Sequence, residues 1–276
     1  MRMRNVVPGL LVAASLMAAI PAHAVMQPGK ARLRASLGFT TLTLGDINGE
    51  IQTTRDAFMA DTLTDESSWD PLGGAPNLGV ELDVQITPLV SAGIGVGTHR
   101  SSIRHNALKV LSLDEFGEVA EFEQFDEHTR VSAWDVVGTV GFWVPSAPGL
   151  HFGGQAGLIR GTFERESWYL IESFSVEANM QQQVGDWKGT GVVLGAFTGY
   201  EHPITSQLAF SSRVGYRYRR IGRLSGPLTI IDWGDQGNSR EVETGPLLDA
   251  GGNRMALDLS GFYFNVGVSM SLGGGE

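Results

Sequence analysis

His99 and Ser101 have residue types and a spacing that could support hydrolytic chemistry. Side chains two positions apart in a strand project from the same face, so the histidine could act as a base toward the serine hydroxyl. The neighbouring residues do not complete such a site, and we interpret the two side chains as a polar pair inside the fold. The sequence also lacks the G-x-S-x-G, P-loop and H-E-x-x-H patterns. We therefore expect no catalytic residue.

The segment Asp46-Ile47-Asn48-Gly49-Glu50 begins like a calcium-binding loop. It lacks the glycine that such a loop has at its sixth position, and the remaining ligands do not follow. We interpret the segment as a polar turn and expect no metal and no cofactor. The chain has no cysteine, which excludes disulfides and thiolate metal sites.

The elements that would position these residues are strands, because apolar and polar side chains alternate along much of the chain. The pattern is clearest from Leu78 to Ile86. Its period of two indicates strands with one apolar and one polar face. In every such window the even-numbered positions carry the apolar side chains and none of them is charged. The windows are 78–86, 91–98, 131–144, 150–158, 191–200, 207–218 and 261–272.

The N-terminal segment has the features of a secretory signal peptide. Arg2 and Arg4 precede a mostly apolar run, and Ala22-His23-Ala24 supplies the small residues of a cleavage site. We predict a signal peptide at 1–24, cleaved after Ala24, and one mature domain at 25–276; a retained N-terminal anchor is the alternative. Removal of this segment leaves 18 basic and 30 acidic residues, so nucleic acid is not an expected partner.

The connections between the strand windows alternate between short and long. The short breaks at 87–90, 145–149 and 202–206 each contain proline, and the long polar segments are 45–76, 106–128, 164–189 and 222–254. A first strand near 31–44 brings the number of strands to eight, with both termini on the side of the short turns. This asymmetry predicts an all-β fold, a transmembrane antiparallel up-and-down β-barrel with short periplasmic turns and long extracellular loops. Ten strands are possible if a long loop contains a hairpin.

The C-terminal strand carries the most specific family resemblance. Its pattern of polar, Gly and two hydrophobic positions resembles the assembly signal of the small eight-stranded outer-membrane barrels of Gram-negative bacteria, the OmpA-, OmpX- and OmpW-like group. The Gly215-Tyr216-Arg217-Tyr218-Arg219 run is also similar to this group. Family members usually end on an aromatic residue, whereas here glycines and Glu276 follow the last strand residue. The signal residues are Asn265, Gly267, Met270 and Leu272.

The resemblance implies a location and partners. We expect a monomer in the cell outer membrane, reached by export to the periplasm, surrounded by outer-membrane lipid and lipopolysaccharide and inserted by the barrel-assembly machinery. The aromatic residues agree with a membrane position, because they fall in two groups about ten residues apart, as the two aromatic girdles of a barrel do. Those near the short turns are Phe142, Tyr200 and Phe210; those near the long loops are Trp134, Tyr216 and Tyr218.

The polar face of the strands then lines the lumen. Eight strands enclose an interior only wide enough for side chains, and charges there must pair because an isolated buried ion costs several kcal/mol. We predict one coupled ion-pair network, with Arg213 paired to Asp83 or Asp135 near mid-height; a gated narrow pore is the alternative. The predicted members are Arg34, Glu81, Asp83, Asp135, Glu201, Arg213, Arg217 and Arg219.

The long segments are strongly acidic and together carry a net charge of −17. The segments 113–125 and 167–176 also contain many aromatic and aliphatic residues, which indicates either strands that continue beyond the membrane or a contact surface.

These features favour a non-enzymatic barrel with a structural or surface-interaction role. Two alternatives remain. The resemblance to the OmpW-like group implies a narrow channel or a conduit for small hydrophobic solutes, and the His-x-Ser spacing at His99 is similar to that of outer-membrane lipid A deacylases, which would make the chain a lipid-directed enzyme.

Overall fold

The computed structural model describes residues 29–59, 65–68, 70–113, 115–117, 119–173, 176–234, 237–249 and 251–272. The predicted signal peptide and the last four residues lie outside these ranges. The elements are β1 (Ala31–Thr41), α1 (Gly45–Met59), β2 (Asp65–Ser68), β3 (Gly74–Thr87), β4 (Val90–Leu113), β5 (Val119–Trp143), β6 (Leu150–Ser173), β7 (Val176–Pro203), β8 (Leu208–Ile221), β9 (Ser225–Trp233), β10 (Ser239–Pro246), β11 (Leu257–Asp258) and β12 (Gly261–Leu272).

Eight of these strands form a closed antiparallel ring. Neighbours along the chain pair from β3 through to β8, and β12 pairs with both β8 and β1, which in turn pairs with β3. Closure joins Ala31 to Leu272 at one end and Thr40 to Tyr263 at the other. Closure satisfies the backbone of every strand in the ring without leaving a free edge, which is what a strand protein needs in lipid. The predicted eight-stranded barrel is confirmed.

Four of the ring strands continue well beyond the others. β4, β5, β6 and β7 have 24, 25, 24 and 28 residues, whereas β1 has 11 and β12 has 12. The segments 106–128 and 164–189 are therefore mostly paired strand, which decides between the two interpretations of their apolar content in favour of strand extension. The result is a wall on one side of the barrel, formed by the ends of these four strands.

The fourth long segment, 222–254, does contain a hairpin, but the hairpin does not enlarge the ring. β9 pairs with β7 over Met180–Lys188, beyond the point where β8 has ended, and β10 pairs only with β9. The hairpin thus widens the wall. The short strand β2 pairs with β4 at the other margin.

The interpretation of Asp46–Glu50 as a polar turn is wrong, because these residues form the start of α1. The chain enters the helix through Leu44, which has a φ of +42° and is fully buried. The apolar residues Ile47 and Ile51 lie one turn apart and both face the interior. Apolar residues four positions apart, with polar residues between them, favour a helix when one of its faces can pack against an apolar surface. The barrel provides that surface.

The outer wall of the ring is apolar. Leu78, Leu158 and Phe262 are 62%, 68% and 66% exposed, and the other even-numbered aliphatic and aromatic residues of the predicted windows face the same way. A band of this kind around a closed ring with charged residues inside is suited to lipid. The chain is a transmembrane β-barrel of the outer-membrane type. In the described part of the chain, no helix is long and apolar enough to cross a membrane.

Candidate functional site in the barrel lumen

The half of the lumen nearer the short turns, which we call the lower half, contains a network of buried ion pairs. Arg34 of β1 donates to Glu81 of β3 at 2.8 Å and to Glu201 of β7 at 2.5 Å. Arg32 donates twice to Asp83, at 3.0 and 2.6 Å, and also contacts Glu201. Alternate positions of one strand thus place two guanidinium groups between carboxylates from both sides of the barrel, which compensates the cost of burying each charge.

Arg213 of β8 completes this group but not in the predicted way. Its guanidinium donates to Glu81 at 2.7 and 3.2 Å, so the expected pairing with Asp83 or Asp135 is wrong. Asp83 is occupied by Arg32, and Asp135 lies higher in the barrel. We refer to Arg32, Arg34, Glu81, Asp83, Glu201 and Arg213 as the lower network.

The other predicted members, Asp135, Arg217 and Arg219, lie with His99 in a separate group higher in the lumen, which we call the upper group. Nε2 of His99 lies 3.1 Å from Oδ2 of Asp135, and Arg217 lies over the ring of Tyr263 at 4.3 Å. Neither arginine forms an ion pair with a carboxylate in the part of the chain that the structure describes. The lumen charges are therefore organised as two groups rather than as one network.

A small cavity separates the two groups. It has a volume of about 40 Å³ and is lined by Arg34, Glu81, Asp135, Arg217 and Asn265, among others. A cavity of this size holds a few water molecules, which could satisfy polar atoms such as Oδ1 of Asn265 and Nε of Arg217 that have no protein partner.

The upper end of the lumen is filled by apolar side chains. Leu44, Ile51 and Leu257 come from the segments that fold into the barrel mouth, and they pack with residues such as Ile159 and Val193 on the inner strand faces. We call this cluster the apolar plug. Its members also include Leu42, Ile47, Leu72, Val131, Ala133, Val137, Phe163, Trp187, Ile221, Leu224, Leu247, Met255 and Leu259.

His99 and Ser101 do not form a nucleophile and base pair. Ser101 donates to the carbonyl oxygen of Gly74 at 3.1 Å, whereas His99 faces Asp135. Both side chains lie inside the barrel and are at most 8% exposed, away from the lipid face. Among the described residues there is also no grouping of three His, Asp or Glu side chains suited to a metal ion.

The sequence reasoning missed several lumen residues. Arg32 is two positions before Arg34, and this spacing was a signal for its inward orientation. His151 and Phe197 also point inward, and Phe197 lies under the guanidinium of Arg213 at 4.0 Å. Their positions at odd numbers in the windows 150–158 and 191–200 would have placed them inside.

The predicted girdle residues all lie on the outer wall. Phe142 stacks on Phe152 with ring centroids 5.7 Å apart, and Tyr216 meets Phe262 edge-on at 5.2 Å. Trp134 is 47% exposed and lies opposite Arg160 in the sheet. Tyr200 of β7 and Phe210 and Tyr218 of β8 also occupy even positions and share this outward orientation.

The residues of the predicted assembly signal are divided between the two faces of β12. Asn265 is buried in the lumen, whereas Met270 and Leu272 are exposed on the outer wall. Gly267 lies against β1, where a Cβ atom would come within 2.1 Å of the carbonyl oxygen of Ala35. Glycine at this position is therefore required by packing between strands.

Above the barrel ring, a polar cluster is buried within the wall. His105 donates to the carbonyl oxygen of Asp70 at 2.8 Å and faces Glu127, which also accepts from Arg165 at 2.6 Å. Burial opposes the charge on His105, but Glu127 and the Asp70 carbonyl outweigh it and raise the pKa of His105. Burial likewise opposes the charge on Glu127, but His105 and Arg165 outweigh it and lower the pKa of Glu127.

No family model matches the chain, and no curated protein matches it. Solved structures that are similar to the chain include outer-membrane β-barrels. The Ail attachment invasion locus protein of Yersinia pestis, in complex with a heparin analogue, has 8% identity and a TM-score of 0.36, covering 90% of this chain and 100% of that chain. OprG from Pseudomonas aeruginosa has 9% identity and a TM-score of 0.34, covering 90% and 98%. The protease OmpT from Escherichia coli has 11% identity and a TM-score of 0.32, covering 91% and 100%.

Proposed function

We propose that the chain is a non-enzymatic outer-membrane barrel with a closed lumen, and that it acts through its exterior and its extracellular wall in a structural or surface-interaction role. The observation that carries this proposal is the double closure of the lumen. The lower network crosses the barrel from β1 to β7, and the apolar plug fills the opposite end.

The two layers oppose permeation for different reasons. An ion or polar solute passing the lower network would have to separate buried ion pairs, each of which costs several kcal/mol to break. A polar solute reaching the apolar plug would have to give up its hydration among aliphatic side chains, which is also costly. The cavity of about 40 Å³ between the lower network and the upper group has room for only a few water molecules.

The wall is the part of the molecule that is best suited to interaction. It rises on one side of the barrel, and the segments that form it or lie beside it carry a net charge of −17, whereas the whole chain has −10. An acidic surface favours cationic partners and divalent ions. Export by the predicted signal peptide, insertion by the barrel-assembly machinery and contact with lipopolysaccharide belong to the same proposal.

Conductance measurement distinguishes the closed barrel from the channel alternative. Purified protein in a planar lipid bilayer should show no steady conductance. The double variant Arg32→Ala, Arg34→Ala should also stay closed, because the apolar plug remains. The same variant with Leu44→Gly and Leu257→Gly added should conduct more readily than the double variant, because it weakens both layers. A steady conductance of the unmodified protein would contradict the proposal and favour a narrow channel.

The non-enzymatic part of the proposal is tested through His99. Because His99 faces Asp135 and is shielded from lipid, His99→Ala should leave the acyl chains of lipid A and phospholipids unchanged in expressing cells. Mass spectrometry of extracted lipids measures this. Acyl chains that are removed in cells with the unmodified protein and retained in cells with His99→Ala would indicate a lipid-directed enzyme.

A further inference from the structure

Three basic residues occupy equivalent positions on the outer wall. Arg100, Arg160 and Arg220 lie on β4, β6 and β8, and all three side chains are exposed and point away from the lumen. Arg100 and Arg160 are each ten residues beyond the first residue of their strand, Val90 and Leu150. Ten residues at about 3.3 Å each and a tilt of about 40° rise about 25 Å, which is the height of the apolar band of a membrane barrel.

The three guanidinium groups therefore lie where the apolar band meets the extracellular headgroup layer. None of them forms an ion pair with a carboxylate of the described chain. Two basic residues near them do form ion pairs with carboxylates: Arg130 pairs with Glu164 at 2.8 Å, and Lys188 pairs with Asp186 at 2.7 Å. The acidic residues that dominate the wall above are thus not used to neutralise these three positive charges.

A groove lies between two of these arginines. It has a volume of about 470 Å³ and is lined by Arg100 and Arg160 together with Leu78, Trp134 and Thr98. Sheet register explains the arrangement, because Trp134 of β5 lies opposite Thr98 on one side and opposite Arg160 on the other. The floor of the groove is apolar, while its upper rim carries two cations and hydroxyl groups, including that of Thr162.

We propose that this groove binds a phosphorylated glycolipid of the outer leaflet, with its acyl chains on Leu78 and Trp134 and its phosphates at Arg100 and Arg160. The chemistry agrees at both ends of the ligand. Guanidinium groups form charge-assisted, bidentate hydrogen bonds with phosphate oxygens, and an indole ring at the membrane interface packs against acyl chains. The site rests on the contact with lipopolysaccharide that is part of the proposed function, but it lies on the exterior and does not depend on whether the lumen conducts.

Binding of purified lipid A to the full mature protein in phosphatidylcholine nanodiscs tests the site. The probes are diphosphorylated lipid A, the same lipid A after removal of both phosphates, and phosphatidylglycerol. We expect diphosphorylated lipid A to bind more tightly than both other probes, and Arg100→Gln with Arg160→Gln to weaken its binding about tenfold or more. Arg160→Gln alone should give a smaller loss in the same direction.

The matched control is Arg104→Gln, since Arg104 lies on the same strand as Arg100 but is already paired with Asp126 at 2.6 Å. It should bind lipid A as the unmodified protein does. Equal losses in Arg104→Gln and Arg160→Gln would overturn the proposal, because general charge would then explain binding. The proposal would also be overturned if the unmodified protein bound dephosphorylated lipid A, or phosphatidylglycerol, as tightly as diphosphorylated lipid A.

Discussion

Arg34 joins opposite sides of the lumen, because it is the residue that contacts Glu81 of β3 and Glu201 of β7 through different nitrogen atoms. Among the carboxylates of the described chain, Arg213 pairs with Glu81 alone, and Glu81 keeps Arg34 as a second partner. Removing Arg34 therefore takes one of two arginine partners from both Glu81 and Glu201, whereas removing Arg213 takes one of two partners from Glu81 alone. The two arginines should differ in energetic importance.

Arg34→Ala should lower the free energy of unfolding by about 3–5 kcal/mol, because it leaves buried carboxylates partly unpaired. Arg213→Ala should lower it by about 1.5–3 kcal/mol, the range for charge-assisted hydrogen bonds. Urea unfolding in lipid vesicles measures both. Arg104→Ala, which affects an exposed pair, should change little. A smaller loss for Arg34→Ala than for Arg213→Ala would contradict the assignment.

The buried cluster at His105 should make stability depend on pH. The pKa of His105 is raised above its ordinary value of 6.5, so its contribution is fully present below 6.5 and is lost as the pH rises through the raised value. The pKa of Glu127 is lowered, so its contribution is present above 4.5 and is lost as the pH falls through the lowered value.

The destabilisation caused by His105→Gln should therefore be larger near about pH 5.5 than near about pH 8.5. Urea unfolding at both values measures the difference. Thr129→Val is the control, because it removes a 3.0 Å hydrogen bond to the same Glu127 without removing an imidazole, and its cost should not decline with rising pH. A destabilisation by His105→Gln that is equal at both values would show that folding does not raise the pKa of His105.

At the residue scale, alternation predicted which side chains face inward but not which ones meet. The period of two places Arg34, Glu81 and Arg213 in the lumen. Whether Arg213 reaches Glu81 or Asp83 depends on the stagger between strands that are far apart in sequence, and a shift of two residues exchanges the two partners. That stagger is set by ring closure, which a single sequence does not display.

At the scale of elements, the ring strands were predictable and the wall was only partly so. The windows that cross the membrane alternate regularly because lipid lies on one face and the lumen on the other. Beyond the membrane, β4 to β7 meet water on one face and segments of the barrel mouth on the other, as Phe125 meets Phe58 of α1. Charged residues such as Glu121 and Glu166 therefore interrupt the pattern. The same composition suits a polar loop, which explains why 106–128 and 164–189 resembled loops.

α1 was missed for a related reason. Its sequence is mostly polar and has little intrinsic signal beyond Ile47 and Ile51. The helix is stable because the barrel mouth supplies the apolar surface on which these two residues pack, a tertiary contribution that local propensity does not contain.

Gly267 allows a prediction about β12. Gly267→Ala should impair barrel closure, because the added Cβ would come within 2.1 Å of the carbonyl oxygen of Ala35. Gly245→Ala in β10 is the control, since no atom lies within 4 Å of the position of its Cβ. Folding of purified, unfolded protein into lipid vesicles, followed by gel mobility with and without heating, measures closure.

The same experiment separates packing from recognition by the assembly machinery. Purified protein folds into vesicles without that machinery, so a defect of Gly267→Ala in vesicles is a packing defect. If Gly267→Ala folds normally in vesicles and fails only in cells, then Gly267 acts as part of the assembly signal and the packing explanation is wrong.

One end of the whole molecule carries large polar segments, and the other end carries only short turns. The connections at 88–89, 144–149 and 204–207 are short, whereas the opposite end carries α1, the wall and the β9–β10 hairpin. Such asymmetry is typical of outer-membrane barrels, in which the bulky end is extracellular and the short turns face the periplasm, and we expect the same orientation here. The strand order and the turn lengths predicted this arrangement before the wall itself was known.

Orientation can be tested by cysteine labelling, for which the chain is suited because it contains no cysteine. Asn238→Cys places a thiol at an exposed position just before strand β10, and Ser146→Cys places one in the exposed turn between β5 and β6. In intact cells, a membrane-impermeant maleimide should label Asn238→Cys and should reach Ser146→Cys only after the outer membrane is opened. Both proteins should label equally once purified, which controls for accessibility. Labelling of Ser146→Cys but not of Asn238→Cys in intact cells would show that the barrel has the opposite orientation. Arg100, Arg160 and Arg220 would then lie at the periplasmic leaflet, where the proposed glycolipid is absent.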